Sequence, residues 1–138
     1  MPANVFFDTS ILVYAVTEDD PRSARAEELL AAGGVLSVQI LNEFVSVARR
    51  KIFMSWSDIV EALDAFRVLC PSPPPITMET HEAALKVAEI HGCSIYDGLV
   101  VAAALESGCS TLFSEDFQDG QTIGGKLTIR NPFARSSG

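Results

Sequence analysis

Positive charge is what this sequence most lacks. Ten Lys and Arg stand against eighteen Asp and Glu over 138 residues, a formal net charge of −8. Coating a phosphate backbone without regard to sequence needs clustered cations, so a general nucleic-acid coat protein is disfavoured. An acidic protein still acts on nucleic acid where bound cations reverse the local sign of charge. Cysteine is also sparse. Cys70, Cys93 and Cys109 are odd in number and widely spaced, with no CxxC. The two histidines, His81 and His91, do not complete a zinc site with them. The three cysteines read as reduced thiols, mostly buried. Long apolar runs are missing: Leu99 to Leu105 falls far short of the roughly 18 residues of a membrane span. Met1-Pro2-Ala3-Asn4 carries no positive charge and opens no apolar stretch, so no secretory signal is expected. These absences predict a cytoplasmic chain, away from membranes.

What is present describes one domain. Apolar residues make up 48% and charged residues 20%, as in an ordinary globule that buries its own core without disulfides or a structural metal. We expect a single domain over 1–133 and a loose tail over 134–138. Strand and helix patterns alternate. Short apolar strands are expected at Val5–Phe7, Val35–Val38, Pro75–Met78, Thr111–Phe113 and Leu127–Ile129. Helices are expected over Ile11–Val16, Arg22–Ala32, Gln39–Lys51, from a Ser57 cap to about Leu69, Thr80–His91 and Tyr96–Ser107. Pro21 begins one of them, and Gly33-Gly34, Gly92 and Gly108 end three. The last helix is apolar nearly all round and should be buried on most sides. Short apolar strands between helices predict an α/β fold: a three-layer α/β/α domain on a central, mostly parallel sheet of four to five strands. Ligands of such sheets bind beyond the carboxyl ends of the strands.

Four acids fall at that end. Asp8 follows the first strand, Asp116 lies shortly after Thr111–Phe113, Glu43 sits early in the helix after Val35–Val38, and Asp97 is in the first turn of the buried helix. Singly, each has a structural explanation. Asp8 caps a helix, Asp116 belongs to a turn, and Glu43 lies off the centre of its helix's apolar stripe, where solvent would suffice. Asp97 shares a face with Val100, Val101 and Ala104. There an unpaired carboxylate is costly unless helix N–H groups or a cation compensate it, and an N-cap role would do so. Together, converging carboxylates repel, which raises their pKa values or recruits cations. A ligand set of oxygens alone selects hard ions such as Mg²⁺ or Mn²⁺.

Phe6-Phe7-Asp8-Thr9-Ser10-Ile11-Leu12-Val13-Tyr14, Leu41-Asn42-Glu43-Phe44, Ser94-Ile95-Tyr96-Asp97-Gly98-Leu99, Leu112-Phe113-Ser114-Glu115-Asp116 and the ending Leu127 to Phe133 together resemble the PIN-domain family, in particular its VapC-type toxins of toxin–antitoxin pairs. The resemblance spans nearly the whole chain. It implies a Mg²⁺- or Mn²⁺-dependent ribonuclease, a hydrolase of phosphodiester bonds, with Asp8, Glu43, Asp97 and Asp116 as the catalytic, metal-holding acids. Ser10 would fill a polar position that is often Asn in relatives, and Asp119 would be an auxiliary acid. Implied partners are an RNA substrate and a cognate antitoxin protein; a homodimer is expected from apolar helix surface beyond what one small sheet covers. Apolar faces on Arg22–Ala32, Ile40–Ile52 and Ile59–Leu69 are available for such partners. The run Arg49-Arg50-Lys51 is available to guide RNA, or to complement a helix C-terminus.

Two other readings compete. Asp8-Thr9-Ser10 after a strand resembles aspartate-nucleophile phosphatases of the haloacid-dehalogenase type, but Ser10 stands where those carry a second Asp, and 138 residues leave no room for a cap domain. The stronger alternative is a non-catalytic PIN-like protein that binds RNA or a partner.

Overall fold

The computed structural model of the chain describes residues 4–133; the expected tail at 134–138 lies outside them. The chain runs β1 (Val5–Phe7), α1 (Thr9–Val16), α2 (Ser23–Ala31), α3 (Val38–Arg50), α4 (Trp56–Leu69), α5 (Met78–His91), α6 (Ile95–Glu106), β2 (Thr111–Phe113), β3 (Thr122–Ile123) and β4 (Leu127–Arg130). The sheet order is β1-β2-β4-β3. β1 pairs with β2 and β2 with β4 in parallel, and β3 pairs antiparallel with β4. This is the expected α/β fold on a mostly parallel sheet, here of four strands. Successive strand residues point to opposite faces, and both Phe6 and Phe7 are fully buried. Both faces of β1 are therefore covered, as a parallel sheet requires.

Two expected strands are corrected. Val35–Val38 shrinks to a single parallel bridge, Val35 to Phe6, held by Phe7 N–H to the Val35 carbonyl (3.0 Å) and Val35 N–H to the Val5 carbonyl (2.9 Å). Ser37 then turns the chain into α3 by accepting the Ile40 N–H, so Val38 is already helical. Pro75–Met78 forms no strand. The run of prolines before it lacks the N–H groups a ladder needs, and Thr77 starts α5 through a reciprocal capping box with Thr80. The cap of α4 is Ser55, not Ser57, accepting the Asp58 N–H. The short hairpin strand β3 carries no periodic signal in the sequence.

The four expected acids reach one end through this topology. The register matches Phe7 with Phe113, so Asp8 and Ser114 leave adjacent parallel strands level with each other. Helix α6 is held against α5, the chain bending by 117° between them. Gly98 permits the contact, since a Cβ there would stand 2.5 Å from the Ala84 carbonyl oxygen. Gly92 closes α5 in the left-handed conformation (φ 65°) that glycine adopts without penalty. Among the described residues, no single helix is long and apolar enough to cross a membrane.

Because the obstructing atom at Gly98 is backbone, Gly98→Ala is expected to lower stability by about 1–3 kcal/mol. Urea denaturation measures this, and an unchanged midpoint would contradict the close approach of the two helices.

Candidate active site

A cleft of about 740 Å³ opens at the carboxyl end of β1, and Asp8, Glu43, Asp97 and Asp116 all line it. Each is positioned by a different element. Asp8 caps α1: its Oδ1 accepts the Thr9 N–H at 2.7 Å, and its Oδ2 accepts the Ser114 hydroxyl at 2.6 Å. Ser114 Oγ also accepts the Asp116 N–H at 3.0 Å, so one buried serine ties the first acid to the backbone of the fourth. Thr9 does the same toward α3. Its hydroxyl donates to Glu43 Oε2 at 2.7 Å, while Gln39 Nε2 donates to Glu43 Oε1 at 3.3 Å. Asp97 occupies the first turn of α6, its N–H held by Ser94 Oγ at 3.1 Å. Ser94 is thus the N-cap, and the cap role considered for Asp97 is corrected. Asp97 lines the cleft.

The electrostatics are those of crowded acids. Asp8 is 2% exposed. Burial pushes its pKa up to about 7, against the Ser114 hydrogen bond, and the Asp116 charge pushes the same way. Asp97 is also raised, first by partial burial and then by the charge of Asp116, with Glu43 adding and the Ser94 hydrogen bond opposing. Asp8 and Asp97 thus both feel the Asp116 charge, and Asp97 also that of Glu43, although among the described residues no three of the acids close into a ready-made metal cage.

The other expected site residues divide. Ser10 lines the cleft, and its hydroxyl is buried without a hydrogen-bond partner. Asp119 does not line it. Asp119 Oδ1 accepts the Asn131 N–H at 2.9 Å, which braces the loop. Of the basic run, Arg50 and Lys51 line the cleft, while Arg49 donates to the Met54 carbonyl and lies over the Trp56 ring. Sequence reasoning misses Thr9 and Ser114. The only available signal is their place, directly beyond β1 and β2. A donor set of carboxylates with one unpartnered hydroxyl fits a hard divalent cation. It offers no soft or nitrogen ligand, and the two histidines are exposed elsewhere.

The profile of the PIN domain family matches residues 5–118. Among solved structures the chain is similar to VapC20 of Mycobacterium tuberculosis, described as a Sarcin-Ricin loop cleaving toxin (TM-score 0.66, 23% identity, 81% of this chain and 91% of that one). It is similar to VapBC2 from Rickettsia felis bound to a DNA fragment from their promoter (TM-score 0.64, 20% identity, 91% and 96%). It is also similar to FitAcB from Neisseria gonorrhoeae (TM-score 0.64, 17% identity, 93% and 97%). At these identities the likeness is one of fold. No curated protein matches the sequence.

The raised Asp8 pKa fixes a sign. Unfolded, Asp8 titrates near 3.8; folded, near 7. Between those values the folded state binds the extra proton, so the Asp8 contribution to stability is full below about pH 4 and is lost as pH rises to about 7. Tenfold changes in proton affinity are worth about 1.4 kcal/mol each. In EDTA, Asp8→Asn should therefore gain on wild type by on the order of 1–4 kcal/mol between pH 4 and pH 8. Chemical denaturation at both pH values measures the difference, and a constant offset would contradict a buried, crowded carboxylate.

Proposed function

Since the chain belongs to the PIN domain family, and since its strand-end cleft gathers four carboxylates, we propose that it is a Mg²⁺- or Mn²⁺-dependent ribonuclease acting as the toxin of a VapBC-type pair. The observation that carries this reading is the shared cleft of Asp8, Glu43, Asp97 and Asp116, with Asp8 buried against the influence of Asp116.

Asp8, Asp97 and Asp116 would hold the cation, with Glu43 as a fourth ligand or a group that orients water. When bound, the ion supplies Lewis-acid polarisation of a phosphate and a water made nucleophilic at neutral pH. The chain's own residues do the rest. Thr9 and Ser114 hold Asp8 by both carboxylate oxygens and so fix its orientation. Thr9 and Gln39 steady Glu43. Ser10 offers a hydroxyl to a water or phosphate oxygen. No side-chain nucleophile is needed, in keeping with a cleft that contains neither histidine nor cysteine.

For the partners, a second groove between α3 and α4 is lined by Val38, Leu41, Val45, Val60 and Leu63, with Asp64 and Arg67 beside them. Val60 and Val68 are exposed on α4. This surface is our assignment for an antitoxin segment or a second copy, an amphipathic element laying its apolar face into a groove. Cytoplasmic action follows from the RNA substrate.

The test is RNA cleavage with Mn²⁺ or Mg²⁺, with and without EDTA. Wild type should cut only with the metal. Asp8→Asn and Asp97→Asn should each lose at least about a hundredfold, the usual scale when charge stabilisation of the transition state is removed. Activity untouched by both substitutions would overturn the metal-site reading, and a folded wild type inert with every divalent ion would favour the non-catalytic alternative. Size exclusion that finds a strict monomer, with no affinity for an antitoxin, would remove the partner assignment.

A further inference from the structure

Of the four acids, Asp116 alone neither lies in a helix nor caps one. It stands on the loop beyond β2, and that loop is pinned at two consecutive side chains. Ser114 is one, bonded to the Asp8 carboxylate and the Asp116 N–H. Glu115 is the other, and nothing said of the site so far uses it. Its Oε2 accepts the Tyr14 hydroxyl at 3.2 Å, across 101 positions of chain. Its Oε1 is buried without a hydrogen-bond partner. A half-buried carboxylate next to a cluster of others is costly to keep, so the contact that holds it there has to be accounted for.

Tyr14 is itself firmly held. Its hydroxyl accepts from Arg22 Nη1 at 2.7 Å, the Arg22 guanidinium lies 4.0 Å over its ring centroid, and Phe133 packs edge-on at 4.9 Å. Arg22 is fixed in turn by Asp20, which accepts its Nε at 2.9 Å and its Nη2 at 2.8 Å. Asp20, Arg22, Tyr14 and Glu115 thus form one hydrogen-bonded chain. It runs from the connection between α1 and α2 to the residue beside Asp116, and it brings a cation toward a corner crowded with carboxylates. The Arg22–Asp20 pair is at the surface, with 43% of the arginine side chain exposed, and such pairs add little to stability. The geometry that the chain imposes on Glu115 explains it better than stability does.

Resting on the metal-dependent ribonuclease reading, we propose that Tyr14 is a positioning residue: its hydroxyl, backed by Arg22, fixes Glu115 and through it the loop that presents Asp116 to the cation. With Ser114 and Glu115 both pinned, the backbone leading to Asp116 has little freedom left. Release of Glu115 leaves Asp116 on the Ser114 tether alone. A ligand already in place loses less freedom on binding, and groups standing behind metal ligands tune affinity for that reason. Glu115 acts through its anchored side chain and is not a metal ligand in this arrangement.

Tyr14→Phe deletes the hydroxyl and keeps the ring beneath Arg22 and against Phe133. Calorimetric titration of the full-length protein with Mn²⁺, without RNA, reads the site apart from catalysis. Tyr14→Phe should weaken Mn²⁺ binding about tenfold, the low end for loss of a group behind a metal ligand. Glu115→Ala should do the same, and Tyr14→Phe/Glu115→Ala should lose no more than either alone, because both remove one contact. Glu115→Gln still offers an oxygen to the hydroxyl and should stay within about threefold of wild type. Ser23→Ala is the structural control. It removes hydrogen bonds to the Tyr14 and Thr17 carbonyls without touching Glu115, so it should lower the urea midpoint and leave Mn²⁺ affinity within about twofold. In RNA cleavage, Tyr14→Phe should lower kcat at limiting Mn²⁺, recover at saturating Mn²⁺ and leave KM for RNA unchanged. Circular dichroism confirms that each variant is folded. Wild-type Mn²⁺ affinity in Tyr14→Phe, losses that multiply in the double variant, or an equal loss in Ser23→Ala would each overturn the proposal. RNA cutting by a wild type whose Mn²⁺ affinity does not depend on Tyr14 would sink it and leave the ribonuclease reading standing. The expected binding pattern without any cutting would do the reverse, and a folded wild type that binds no Mn²⁺ would overturn both.

Discussion

A carboxylate buried at the end of a parallel strand pair is the constraint around which this molecule is arranged. Asp8 is fixed at the β1 terminus by two short hydrogen bonds, from the Thr9 N–H and the Ser114 hydroxyl. Those bonds lower the cost of its charge but do not cancel it, since burial and Asp116 leave its pKa near 7. A fold with no use for that charge would be better served by an apolar or neutral residue there. The same two donors reach onward, Thr9 to Glu43 and Ser114 to the Asp116 backbone. Segments far apart in sequence are thereby tied together around one acid. Crowding of like charge that the fold itself maintains is what a hard cation relieves.

The helices are subordinate to that arrangement. Ser37 starts α3 immediately after the Val35 bridge, so Glu43 arrives beside Thr9 within two turns. Gly98 lets α6 sit hard against Ala84 and sets the depth at which Asp97 enters. The buried face of α6, with Val100, Val101 and Ala104, anchors this turn from below, while Tyr96 on the outer side stays open. Helices α3 and α6 thus hold Glu43 and Asp97, Asp8 sits at the junction of β1 and α1, and the Asp116 backbone is held by the Ser114 hydrogen bond.

Much of this is readable in residue order. The apolar strands and the all-apolar α6 point to the sheet and the central helix, and the four acids stand where strand ends and first turns bring them. What escapes depends on register or on short local chemistry. Ser114 matters because Phe7 faces Phe113 across a parallel pair, a fact no local pattern contains. The caps are legible but easily misassigned. Ser94-Ile95-Tyr96-Asp97 and Ser55-Trp56-Ser57-Asp58 both follow the serine-x-x-acid pattern of a helix start, and that pattern gives the cap to the serine and frees Asp97. The Asp119 contact to Asn131 also goes unread, because an acid near a strand end looks the same whether it faces a cleft or braces a turn. Val35–Val38 is too apolar in composition to be told from a strand, although it is a bridge followed at once by a helix.

The most direct measurement is anomalous diffraction from a crystal of the free protein soaked in Mn²⁺. A peak bonded to Asp8 and Asp97 oxygens, near the roughly 2.0–2.2 Å expected of a small hard ion, is the predicted result. A saturating soak that leaves the cleft empty, or places the ion on acids elsewhere, would contradict the account.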